Sequence, residues 1–87
     1  MHEASLMTGL MRQLREIAAR EGAQRITSVQ VQLGALSHLS PEHFAEHFEQ
    51  AAAGTLAEGA RLDAVASDAI DDPAAQDILL LSVEVET

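Results

Sequence analysis

The chain begins with Met1-His2-Glu3, a combination that can bind a transition-metal ion. The α-amine, the imidazole of His2 and the main-chain amides of His2 and Glu3 place several nitrogen donors within reach of one ion. A planar set of nitrogen donors favours Ni(II) or Cu(II). The amine donor requires a free terminus, and we expect Met1 to be retained because His2 is larger than the second residue that normally permits its removal. A frayed surface terminus without metal is the alternative interpretation.

A second group of candidate ligands consists of the other histidines, His38, His43 and His47. Two of them, His43 and His47, are four positions apart in a predicted helix, so both imidazoles lie on one side of it, with Glu46 beside them. Phe44 and Phe48 mark the buried face of the same helix. The histidines therefore fall at its flank, and the sequence favours ordinary surface residues over a metal site.

The remaining polar clusters do not indicate catalysis. Asp68, Asp71 and Asp72 could hold a hard cation, but a hydrated loop explains them equally well. The chain has no cysteine, no glycine-rich phosphate loop and no Ser-His-Asp arrangement around a nucleophile elbow. Without cysteine it cannot form a disulfide or a thiolate zinc site. The sequence therefore predicts a binding protein, not an enzyme, with no zinc.

The elements that must position these residues follow from hydrophobic periodicity. From Ser5 onward, apolar residues recur at spacings of three and four as far as Ala18, which predicts a helix that stops at Gly22. Residues 26–33 alternate between apolar and polar side chains, as expected of a half-buried strand, and Gly34 ends that strand.

A second helix and two further strands complete the predicted fold. Ser40 can cap free amides, Pro41 suits the first helical position, and Glu42 complements the helix dipole. Strands follow at residues 61–66 and 78–86, the latter rich in aliphatic and β-branched side chains. The order αβαββ predicts an α+β, two-layer fold, with two helices packed on one face of a three-stranded, mainly antiparallel sheet.

Length and charge limit the function further. The 87 residues, 1–87, suffice for a single domain. The formal charge of −9 disfavours nucleic acid and anionic membrane surfaces as partners and favours cations and basic protein surfaces. The chain has no stretch of about 18 apolar residues and no signal-peptide pattern at its start, so we expect a soluble, cytoplasmic protein.

The chain resembles the HypA/HybF family of nickel-insertion metallochaperones over most of its length. Members of that family open with Met-His-Glu and a helix. A strand ending in Gly-x-Leu-Ser, a Pro-Glu helix start with a Phe, and a Gly-Thr-x-x-Glu-Gly-Ala-x-Leu segment follow. The matching positions are Gly34, Leu36, Ser37, Pro41, Glu42, Phe48, Gly54, Thr55, Glu58, Gly59, Ala60 and Leu62.

The resemblance implies that Met1, His2 and Glu3 hold nickel, Ni(2+), as cargo for the maturation of [NiFe] hydrogenase. Its implied partners are a GTPase nickel-insertion protein and the hydrogenase large-subunit precursor, with a urease client as an open alternative. A different hypothesis is a zinc-less scaffold or interaction subunit of the same fold. Such a subunit would bind a maturation factor or a hydrogenase subunit without carrying nickel.

Two features depart from the family pattern. Members normally insert a zinc domain with two Cys-x-x-Cys pairs between the last two strands, where this chain has only a short loop at residues 67–76. The last strand also carries aliphatic side chains on both faces, with Leu79 and Leu81 opposite Ile78 and Leu80. The pair that does not pack on the helices must meet another surface, so we expect a homodimer or hetero-complex through residues 78–85.

Overall fold

A computed structural model of the protein describes residues 2–87, and their side chains from residue 4 onward. Within this range the chain forms two helices and three strands. They are α1 (His2–Glu21), β1 (Arg25–Leu33), α2 (Pro41–Ala52), β2 (Arg61–Ala66) and β3 (Ile78–Glu86). The order αβαββ agrees with the prediction from sequence.

The three strands form one mixed sheet in the order β2-β1-β3. The central strand, β1, pairs with β3 in antiparallel fashion from Arg25 to Leu33, and with β2 in parallel from Ser28 to Leu33. The longer ladder is antiparallel, and the α+β prediction is confirmed. The parallel pair arises because α2 connects β1 to β2, and a crossover through a helix returns the chain in the same direction.

One face of the sheet packs against one stripe of each helix. The buried positions are Ile26, Val29, Val31 and Leu33 of β1, Met7, Leu10, Leu14 and Ala18 of α1, and Phe44, Phe48 and Ala52 of α2. Two of these strand residues, Ile26 and Val29, are three positions apart because a register shift between Ile26 and Ser28 interrupts the alternation. The predicted two-layer arrangement is thus observed.

The helix ends follow the local signals in the sequence, with one difference. Ser40 caps α2 by accepting a hydrogen bond from the main-chain N–H of His43 at 3.2 Å, and Pro41 opens the helix. Gly22 adopts a positive φ of 64° directly after α1, as expected of a helix-ending glycine. However, α1 begins at His2 and not near Ser5. Apolar periodicity could not reveal this first turn, because residues 2–5 include no large apolar residue.

The loop between β2 and β3 is anchored beside the end of β1. The N–H of Gly34 donates to the carbonyl of Asp77 at 2.9 Å, and the N–H of Leu36 donates to the carbonyl of Ala75 at 2.7 Å. Ala75 is buried. At Gly34 a Cβ atom would lie only 2.2 Å from the carbonyl oxygen of Ala75. The loop therefore packs at a separation that only glycine permits at this position.

Candidate metal-binding site

Two of the three predicted nickel ligands, His2 and Glu3, belong to the start of α1. Met1 lies outside the described residues. His2 and Glu3 are the first two residues of α1, and their side chains also fall outside the described part of the chain. Because the first four N–H groups of a helix have no intrahelical acceptor, the amides of His2 and Glu3 are not engaged in the helical ladder. The nickel site itself stays a prediction.

A groove of about 520 Å³ runs between the two helices next to this start. We call it the interhelix groove; Ala4, Met7 and Met11 of α1 and His47 and Ala51 of α2 line it. Its walls are largely apolar. Ala4, which lines the groove, is three positions after Met1 in the sequence.

Two of the remaining candidate ligands come together on α2. The imidazole rings of His43 and His47, here called the histidine pair, have centroids 5.1 Å apart and planes tilted by 50°. His43 is exposed and His47 is half-buried. His38 is not part of this pair, since it lies before α2 in an exposed position with a φ of 61°. The four-residue spacing therefore brings two of the three predicted histidines together.

The acidic loop has a structural explanation. The Asp72 carboxylate accepts a hydrogen bond from the main-chain N–H of Ala74 at 2.9 Å, which stabilises the turn, while Asp68 and Asp71 are exposed. Among the residues from 4 to 87, no group of three or more His, Cys, Asp or Glu side chains is arranged to hold a metal ion. The loop is thus a solvent-exposed turn around Asp68 and Asp71, stabilised by the Asp72 hydrogen bond.

The outer face of the sheet carries exposed aliphatic side chains. Ile78 and Leu80 pack against the core, whereas Leu79 and Leu81 retain 37% and 49% exposure. Val65 on β2, 46% exposed, lies on the same face, because both Val65 and Leu79 pair with Gln32 of β1. We call Val65, Leu79 and Leu81 the outer apolar patch. Sequence reasoning missed Val65, since its position depends on the parallel pairing of β2.

Among the described residues, neither helix combines the length and the apolar character needed to span a membrane.

Solved structures of HypA proteins share this two-layer fold. A solution structure of "the Ni metallochaperone HypA from Helicobacter pylori" matches with a TM-score of 0.79, covers 97% of both chains and shares 22% sequence identity. A second solution structure, of "HypA protein", matches with a TM-score of 0.72 and 24% identity over 98% of this chain and 96% of that one. At such low identity these likenesses establish the fold alone.

Sequence similarity then establishes the family. The family model described as "Hydrogenase/urease nickel incorporation, metallochaperone, hypA" matches residues 1–70. The "Hydrogenase maturation factor HypA" of Thermococcus kodakarensis is 39% identical over 70 residues, and that of Dechloromonas aromatica is 38% identical over 66. These matches cover 80% and 76% of this chain. The chain belongs to the HypA family, and the resemblance seen in its sequence is confirmed.

The matched region is only part of the relatives. The chain covers 50% of the Thermococcus protein and 58% of the Dechloromonas protein, so it spans about half the length of the curated relatives it matches. The family match ends at residue 70, within the loop that precedes β3. The shared region therefore includes the Met-His-Glu start, both helices and the first two strands.

Proposed function

We propose that this protein is a nickel-binding metallochaperone, not an enzyme, that takes part in the maturation of [NiFe] hydrogenase. One observation carries the proposal. The match to a family described by nickel incorporation begins at residue 1 and thus contains Met1, His2 and Glu3. The curated relatives are called hydrogenase maturation factors, which favours a hydrogenase client over a urease client.

The proposed ligands are Met1, His2 and Glu3, with the α-amine, the His2 imidazole and the two main-chain amides as donors. A helix start opposes a cation through its positive dipole end, but this effect amounts to only about 0.3–1 kcal/mol at exposed sites. Amides that lose their proton to the metal add negative charge and offset it. Because an amine and an imidazole must be unprotonated to bind, with ordinary pKa values near 7.7–8.0 and 6.5, nickel affinity should fall on acidification.

Blocking the terminal amine is the direct test. We expect one added residue before Met1 to weaken Ni(II) binding as much as His2→Ala does, because a peptide bond replaces the amine and shifts the amide register. Calorimetric titration of the native, extended and His2→Ala proteins measures this, with His38→Ala as the matched control. An extended protein that binds as tightly as the native one would place the ligands elsewhere. A native protein that binds no nickel would support the scaffold hypothesis.

The proposed partners are a GTPase nickel-insertion protein and the hydrogenase large-subunit precursor, in the cytoplasm. The family's role in nickel incorporation requires that the ion pass to another protein. A net charge of −9 favours basic partner surfaces and opposes nucleic acid and anionic lipid. We further propose that residues 67–76 stand in place of the family's zinc domain, so that the chain carries no zinc.

The outer apolar patch is the proposed contact surface for a homodimer or a hetero-complex. Full burial of a Leu or Val side chain contributes about 1.5–3 kcal/mol, so covering the exposed fractions of the patch contributes about 2–4 kcal/mol per chain. Two such patches contribute about 4–8 kcal/mol, whereas association costs about 4–15 kcal/mol. The patch alone therefore supports at most a weak, concentration-dependent dimer, and a partner that adds further contacts would bind more tightly.

A further inference from the structure

We infer that the histidine pair, His43 and His47, is a second binding site for a divalent transition-metal ion. Zinc–nitrogen bonds to imidazole measure about 2.0–2.1 Å, so two rings that share one ion have centroids about 5 Å apart. The observed separation is 5.1 Å. The ring spacing of the pair is therefore that of a chelate.

The exposure of the pair suits an exchangeable ion. His43 is exposed and His47 is half-buried, so an ion can enter from solvent without opening the core. Two protein ligands leave coordination positions to water or to a passing donor, unlike the closed four-ligand set of a structural zinc site. Imidazole nitrogen suits nickel, copper and zinc. The pair therefore fits a holding site that releases its ion readily.

Some charges around the pair favour a bound cation, and two contributions oppose it. His43 lies in the first turn of α2, where the positive end of the helix dipole opposes a cation, and Arg15 lines the same interhelix groove as His47. Glu42 lies in the first turn, and Glu46 lies three positions after His43 and beside His47. These carboxylates and the net charge of −9 offset both contributions.

The position of the pair brings it near the start of the chain. His47 lines the interhelix groove with Ala4, and Thr55, beyond the end of α2, lines the next cavity with Met11 and Arg15. The two helices therefore run in the same general direction, and the beginning of α2 lies at the end of the molecule where α1 begins. The pair therefore lies at the same end of the molecule as the start of α1.

The test titrates Ni(II) into protein extended by one residue before Met1, which lacks the terminal amine donor. We expect about one equivalent to bind, more weakly than to the native protein. Loss of an outer-shell partner costs about 10–100-fold in affinity, so His43→Ala and His47→Ala, each in the extended protein, should weaken binding at least about tenfold. His38→Ala in the same background should leave it unchanged. Circular dichroism checks that each variant is folded.

The outcomes separate this inference from the proposed function. If the extended protein binds no Ni(II) while the native protein binds one equivalent, the histidine pair is not a site and the terminal site stands. Equal weakening by His38→Ala would also overturn the inference, because the effect would not be specific to the pair. If extension leaves binding unchanged and His43→Ala abolishes it, the pair is the nickel site and the terminal proposal fails.

Discussion

Replacing Gly34 with alanine should destabilise the protein through one steric contact. The φ angle of Gly34 is not positive, in contrast to Gly22, Gly54 and Gly59, so alanine is allowed there by backbone conformation. The obstacle is the neighbouring loop, whose Ala75 carbonyl oxygen would lie 2.2 Å from the new Cβ. Main-chain atoms cannot rotate away as a side chain can. The loop itself must therefore move.

The size of the effect follows from what the loop loses. Two of the hydrogen bonds that hold it lie at this contact, from Gly34 to Asp77 and from Leu36 to Ala75, and each contributes about 0.5–1.5 kcal/mol net. Exposing the buried Ala75 methyl group costs about 0.8 kcal/mol more. Alanine also lowers the backbone entropy of the unfolded chain, which stabilises the folded protein by about 0.4–1 kcal/mol. We therefore expect a net loss of about 1–3 kcal/mol, a large share of the stability of a small domain.

Urea unfolding of the wild type, Gly34→Ala and Gly9→Ala tests this reasoning. Gly9 is the matched control, because it lies inside α1 and a Cβ there would meet nothing within 4 Å. Gly9→Ala should therefore stabilise the protein by about 0.5–1 kcal/mol. The two substitutions should move the unfolding midpoint in opposite directions. A Gly34→Ala protein at least as stable as the wild type would show that the loop is not held against β1.

Two further outcomes are expected. Leu79→Lys combined with Leu81→Lys should give a folded monomer, because both side chains face outward, whereas the wild type should associate as its concentration rises. Light scattering at several protein concentrations measures this association. A wild type that stays monomeric at high concentration would contradict the prediction. Thermal melts with and without a chelator should overlay, since the chain has no cysteine for a structural zinc site. A lower melting temperature in the presence of the chelator would reveal a metal that is required for folding.

Local sequence signals identified the elements, but contacts between distant residues decided how the elements meet. Ser40 and Gly22 mark helix ends through hydrogen bonds and backbone angles within a few residues, so their roles could be read from the sequence. The parallel pairing of β2 and the outward position of Val65 depend on the path of the chain through α2. No local pattern contains that information.

At the candidate sites, too, local spacing could be read from the sequence, whereas contacts between distant residues could not. The spacing of His43 and His47 was sufficient to place both rings on one side of α2, as the structure shows. Their nearness to Ala4 follows from helix packing and could not be foreseen. The reason for Gly34 was equally hidden, because the contact comes from a loop more than 30 positions further along the chain. The sequence matched this glycine to a family motif without revealing what it touches.

The central position of β1 has a consequence for the order of folding. Both neighbours of β1 come later in the chain, and its first residue, Arg25, pairs with Glu86 near the end of β3. Such pairing between distant residues must overcome a large loop-closure entropy, which slows folding. During synthesis the sheet cannot be completed until β3 has emerged. The terminus with the proposed nickel ligands is thus made first, but the layer that supports its helix is among the last parts to form.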